Sequence, residues 1–101
     1  MKKFTVLWDE VAVSELKSIY DFIYTDSPSA AAKVRDELVR SAKDLKTMPR
    51  KFQAYEFANE VTGEYRSIIR WRYRLIYEVI NNDVHIVRII HTSKDPLKII
   101  L

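Results

Sequence analysis

Residues Glu64 to Asp95 read EYRSIIRWRYRLIYEVINNDVHIVRIIHTSKD, a run dense in β-branched and aromatic side chains that suit a pleated, half-buried surface. A single strand of that length would far exceed the usual limit of about 10 residues, so the segment must fold back on itself. Asn81-Asn82-Asp83 supplies one reversal, because Asn and Asp tolerate left-handed dihedrals and bond their own backbone. A second reversal, near Arg70-Trp71-Arg72, has no Gly or Asn to mark it and follows from length alone. The segment therefore predicts three strands, Tyr65–Arg70, Tyr73–Ile80 and Val84–Ile90, in an antiparallel meander.

Arginine is the unusual component of this sheet. Arg66, Arg70, Arg72 and Arg74 occur within nine residues that contain no acid. Period-two geometry sets Arg66 and Arg70 on one face, opposite Tyr65, Ser67 and Ile69, and sets Arg74 opposite Leu75 and Tyr77, beside Ile76 and Glu78. Two readings stand. Arginines lined up on one face form a phosphate cradle, since the guanidinium fork matches phosphate oxygens in pairs. Alternatively they form a solvated face, paired in part with Glu64 and Glu78.

The rest of the chain supplies helices to cover the sheet. Phe4 to Trp8 reads as a short strand, with Lys2 and Lys3 ahead of it as edge protection. Asp9 is placed to cap a helix over Glu10 to Thr25, in which Ala12, Leu16, Ile19 and Ile23 fall at helical spacing. Ser27 and Pro28 restart the chain as N-cap and first helical residue. The second helix repeats Ala31, Val34, Leu38, Ala42 and Leu45 on one face and stops at Met48-Pro49. So short a link between long helices gives an antiparallel hairpin whose apolar faces need the sheet.

Residues 50–63 form an irregular connector, with the chain's only glycine, Gly63, supplying an unusual dihedral just before the meander. Tyr55-Glu56-Phe57 is a brief extended piece. The apolar end Leu97-Lys98-Ile99-Ile100-Leu101 either packs on the domain or is covered by a partner. The reading is thus one α+β domain over residues 1–101, a helical hairpin packed on an antiparallel sheet in the order β-α-α-β-β-β.

Charge and composition narrow the function classes. The net charge of +3 is unevenly spread: residues 1–48 are balanced, while residues 49–101 carry nine Lys/Arg against six Asp/Glu. The excess lies with the sheet and favours a polyanionic partner there. Zero cysteines exclude disulfides, thiolate metal sites and cysteine nucleophiles. His85 and His91 alternate onto one face of the last strand, but no third ligand is near in sequence, so no metal or other cofactor is expected. No apolar run reaches the ~20 residues of a membrane span, and the expected location is the cytoplasm.

These elements resemble the RelE/ParE superfamily of toxins from bacterial type II toxin–antitoxin modules. The cues are the element order, TDSPSAAA opening the second helix, LKTMP closing it, GEYR entering the meander, YRLIYEV at its centre and VHIVRIIH as its last strand. The resemblance spans nearly the whole chain. It implies a growth-inhibiting toxin of the kind used in plasmid stabilisation, neutralised by a cognate antitoxin in a hetero-oligomer, and it implies two target classes. RelE-like members cut mRNA in the ribosome; ParE-like members poison DNA gyrase.

For RelE-like chemistry the resemblance places Arg74 at a transition-state arginine and Arg66 at the first of two strand lysines, while the second falls at Ile68. Thr92 and Ser93 precede Lys94, the basic residue after the last strand, and the tail LKIIL holds no tyrosine. The long helical hairpin and the ending RIIHTSKD look closer to the ParE branch. RNA cleavage needs a base, charge stabilisation at phosphate and an acid. Arg66, Arg74 and His91 are the catalytic candidates for that chemistry, His91 being alone in having an ordinary pKa near neutrality. A structural His91, hydrogen-bonded at a strand end, is the other reading. Arg70, Trp71, Arg72 and Lys94 are the candidate contacts to a target or nucleic acid, with Trp71 and Tyr73 either stacking on bases or serving as core and rim.

Overall fold

The computed structural model describes residues 3–56, 63–96, 99 and 101. Along the chain run β1 (Thr5–Trp8), α1 (Glu10–Tyr24), α2 (Pro28–Asp44), a 3-10 turn (Pro49–Lys51), β2 (Glu64–Arg70), β3 (Tyr73–Ile80) and β4 (Asp83–His91). The strands form one sheet in the order β1-β4-β3-β2. The meander β2-β3-β4 is antiparallel, as its sequence predicts. β1 joins it in parallel beside β4, pairing Thr5 with Asp83 and Trp8 with Ile86, so the four-stranded sheet is mixed. Parallel pairing requires a crossover, and the α1-α2 hairpin lies within the chain that joins the two strands.

Local chemistry accounts for the element ends. Ser27 Oγ accepts the Ala30 N–H at 3.2 Å, and Pro28 occupies the first turn of α2. Asp9 has the extended backbone of an N-cap but its carboxylate makes no capping hydrogen bond. It lies instead 3.9 Å from His85 Nδ1, which corrects the expected cap. Both hairpins close on two residues, because Arg70 pairs with Tyr73 and Ile80 with Asp83. Asn81 takes a φ of 53°, and Trp71 takes 56°. Asn is at home there; for a bulky side chain the left-handed region costs about 1–2 kcal/mol.

Two cores flank the sheet. On the helix side Ala12, Val34, Leu38, Ala42 and Leu45 meet Ile68, Leu75, Tyr77, Val79, Val84, Ile86 and Ile89. Leu16, Ile19 and Ile23 of α1 pack against this core while remaining partly exposed. On the opposite face Tyr55, Ile76 and Ile90 gather Tyr65, Val87, Ile99 and Leu101. The described tail residues therefore pack on the sheet, one of the two expected outcomes; Leu97, Lys98 and Ile100 lie outside the described residues, as do Lys2 and Phe57. Gln53 to Tyr55 runs along the outer edge of β2: Tyr55 N–H donates to Tyr65 O, and Ser67 N–H to Gln53 O. That segment hides part of an edge which would otherwise invite pairing.

Gly63 has a φ of 149°, and a Cβ there would run into the Glu78 carboxylate, which is hydrogen-bonded to the Tyr65 side chain. Gly63→Ala is expected to destabilise the protein by about 1–2 kcal/mol through the dihedral and the collision. A thermal melt checks this, and an unchanged melting temperature would show that the turn rearranges freely.

Candidate functional site

The strand register separates the arginines. Arg66 and Arg70 flank Ile68 on the helix-covered face, since Ile68 pairs with Leu75 and Arg66 with Tyr77. Arg74 pairs with Ile69 and Ile90, and so points to the opposite face beside Ile76. The four arginines form no single cradle. Arg66 and Arg70 share a face as expected, but the cradle reading fails because Arg66 and Arg74 belong to neighbouring strands whose register opposes even to odd positions.

Each of the two is also engaged locally. Arg66 donates to Glu64 Oε2 at 2.9 Å and to the Phe52 carbonyl at 2.6 Å. Arg50 Nε reaches both oxygens of the same Glu64 at 3.0 Å. Burial pushes the Glu64 carboxyl up, but hydrogen bonds from Arg66 and Arg50 outweigh it and hold the group below its ordinary value. Arg74 donates to Ser67 Oγ at 3.0 Å and lies 5.8 Å from the Tyr55 ring centroid.

The histidines part company too. Ile76 pairs with Arg88 but Tyr77 pairs with Ile86, so Val87 is an extra, bulged residue. A bulge inverts the alternation beyond it. His85 therefore sits opposite Glu78, and His91 opposite Tyr73, on the other face; the one-face expectation is corrected. His91 Nδ1 accepts the Ser93 N–H at 3.0 Å and lies 2.7 Å from Ser93 Oγ. Its ring stands edge-on to Tyr73 at 5.5 Å. Accepting at Nδ1 puts the proton of the neutral ring on Nε2. His91 and Arg66 share a face but are four pairing positions apart along the strands and two strands apart. That is a separation of roughly 16 Å by strand geometry.

His91 and Lys94 line one end of a groove of about 240 Å³ between α1 and β4, with Ser14, Glu15, Ser18 and Ile19 on its helical wall. Sequence reasoning passed over Glu15. Its Oε1 accepts from Arg88 Nε and from the Ile89 N–H, both at 3.0 Å, and its Oε2 accepts from Arg88 Nη2 at 2.8 Å. The Glu15 carboxylate thus continues the pairing edge of β4 where β1 ends, the last ladder bond being Asp9 N–H to Ile86 O. Hydrogen bonding to Glu15 also raises the Arg88 pKa. Residues 73 positions apart leave no trace of such a pairing in local sequence.

The other concentration of charge is the β2-β3 turn. Trp71 is 52 % exposed, and its indole N–H donates to Glu37 Oε2 at 2.6 Å. Lys33 Nζ lies 5.6 Å from the Trp71 ring centroid. Phe52 is flanked by Lys51 at 5.1 Å and by the Arg70 guanidinium at 5.9 Å. Arg72 is exposed in the turn itself. Arg70, Trp71 and Arg72 were legible as a basic, aromatic turn, and Arg50-Lys51-Phe52 as a basic, aromatic stretch of the connector; that Lys33 and Lys51 gather beside the turn was not. Lys94 lines the α1-β4 groove, just past the point where β4 meets this turn, the Thr92 N–H donating to Arg72 O at 2.8 Å. Among the described residues no group of three His, Asp or Glu is placed to hold a metal.

A strand, a helical hairpin and a three-stranded meander with this order are matched in sequence as well. Residues 6–96 fit the family model of the ParE toxin of type II toxin–antitoxin systems, parDE. The chain belongs to the ParE toxin family. Among solved structures, this ParE-family fold is similar to a chain of the chromosomal ParDE toxin–antitoxin system from P. aeruginosa. The TM-score is 0.70 at 24% identity, over 88% of this chain and 96% of that chain. No curated protein sequence matches it. Among the described residues no helix is long and apolar enough to cross a membrane.

Proposed function

We infer that this ParE-family toxin inhibits growth by binding and poisoning DNA gyrase rather than by cutting RNA, and that a cognate antitoxin neutralises it in the cytoplasm. The observation that carries the reading is the placement of Arg66 and Arg74 on opposite faces of the sheet, each held by protein partners. In-line cleavage of RNA needs base, acid and phosphate clamp within hydrogen-bond reach of one reacting group. Arg66, Arg74 and His91 do not converge in that way. Binding needs only a complementary surface, and the Arg70-Trp71-Arg72 turn and the Lys94 end of the α1-β4 groove offer basic side chains for one.

The antitoxin would lie along α1, where Val11 and Phe22 are 54 % and 74 % exposed. An amphipathic helix laid on such a stripe, or a strand added at the β1 edge of the sheet, is a common way to cover it. A supercoiling assay with purified gyrase tests the reading. The toxin is expected to block supercoiling, and Arg70→Glu with Arg72→Glu to weaken that block at least tenfold through charge reversal at the contact. Unimpaired gyrase, with primer extension showing ribosome-dependent cuts in mRNA that vanish in Arg66→Ala/Arg74→Ala, would replace this reading with the RelE-like endoribonuclease.

A further inference from the structure

The molecule solves the same backbone problem twice, with two different residues. Each hairpin of the meander closes on two residues, and the first of each pair is left-handed: Asn81 at 53° and Trp71 at 56°. Asn is the ordinary solution to that geometry, whereas an aromatic there is strained. Burial offsets the strain at Trp71 only in part, because half of the side chain faces solvent. Strained residues of this kind cluster where a side chain must be presented to a ligand. The Glu37 hydrogen bond fixes the indole, so the ring is held out in one orientation.

Its surroundings define the ligand. Lys33, Lys51, Arg70 and Arg72 lie at this end of the sheet, and the Glu37 carboxylate that lies with them is already committed to the indole. Arg70 donates only to its own neighbour's carbonyl, Ile69 O, and rests against Phe52. Four cations around two aromatic rings suit a polyanion that carries flat groups. Stacking on an exposed indole requires bases that are not already stacked in a duplex.

We propose that the Trp71 turn is a single-stranded nucleic-acid site, in which a base stacks on Trp71 while Lys33, Arg70 and Arg72 contact the flanking phosphates. The site adds a second ligand to the surface assigned above to gyrase, and it does not depend on gyrase being the target.

Fluorescence anisotropy with labelled oligothymidylate and oligouridylate of about 12 nucleotides, a length that fills one such groove, tests the site on the full chain. Salt-dependent binding is expected, with preference for one sugar deciding between DNA and RNA. Trp71→Gly removes the ring yet suits the left-handed backbone, so folding survives; it is expected to weaken binding at least tenfold. Arg72→Ala is expected to lower the magnitude of the log–log salt slope by about 0.7, the loss of one phosphate contact on a single strand. Absence of salt-dependent binding overturns the proposal. So does Trp71→Gly binding as tightly as the unsubstituted chain, with poly-glutamate displacing the oligonucleotide, which would assign the surface to an acidic protein. The gyrase reading is decided by the supercoiling assay alone, so either can fail without the other.

Discussion

Tyr77→Ala is expected to remove about 4 kcal/mol of stability, the range seen when a large buried aromatic is truncated. Tyr77 is fully buried in the helix-side core and is the largest fully enclosed side chain among the described residues. Its hydroxyl donates to the Pro49 carbonyl, tying the 3-10 turn, and with it the start of the connector, to the middle of β3. Two losses therefore add: a cavity in the helix-side core and a buried carbonyl without its donor. Tyr77→Phe isolates the second and is expected to cost only about 1–2 kcal/mol. Urea unfolding of the two variants checks the pair. Equal losses would mean that the hydroxyl, not the ring, holds this region together.

The same residue sets an alkaline limit. Burial pushes the Tyr77 phenol from its usual 10.0 up to about 12, with nearby Arg66 pulling the other way. The neutral phenol is thus the form the fold prefers. Its contribution is complete below pH 10, and it is lost as pH rises toward 12, because the unfolded chain gives up the proton first. Over that window stability is expected to fall by about 2–3 kcal/mol on this account, at 1.36 kcal/mol per unit. In Tyr77→Phe the urea midpoint should fall less steeply between pH 9.5 and about 11.5, the interval in which a free phenol ionises.

How much of this could be read from the sequence depends on the distance over which a signal acts. The meander, the Ser27-Pro28 restart and the need for Gly63 at an unusual dihedral all follow from residues within a few positions of one another, and they stand in the structure. The site did not follow in the same way. Alternation within a strand assigns Arg66 and Arg74 each to a face, but only the register between strands says that the faces differ. The Val87 bulge is invisible to a period-two count, and it alone sends His91 to the side away from His85. β1 was legible as a strand, while its parallel seat beside β4 rests on pairing across most of the chain. The Trp71 turn lay between these cases: its position was inferable from length, and its strain was not.

Glu15 shows the cost of reading helices by apolar spacing alone, and its replacement is the second large effect expected. In Glu15→Ala, Arg88 loses two carboxylate hydrogen bonds and the Ile89 N–H loses its acceptor at the edge of β4. Both side chains of the pair are mostly buried, at 22% and 16% exposure, so the interaction is screened far less than a surface pair. Breaking a fully buried pair costs about 3–5 kcal/mol, and partial exposure brings the expectation here to about 2–3 kcal/mol. Glu15→Gln keeps an acceptor for Ile89 but no charge for Arg88, and should lose about half as much by the difference between charged and neutral hydrogen bonds. A double-mutant cycle with Arg88→Ala, followed by urea unfolding, measures the coupling directly. Coupling of at least about 1 kcal/mol that persists in 1 M salt is expected, since exposed pairs alone are erased at that ionic strength. Additive single effects would place Glu15 among ordinary surface acids. Coupled ones would make it the residue that seats α1 on β4, and hence the residue that shapes the groove holding His91 and Lys94.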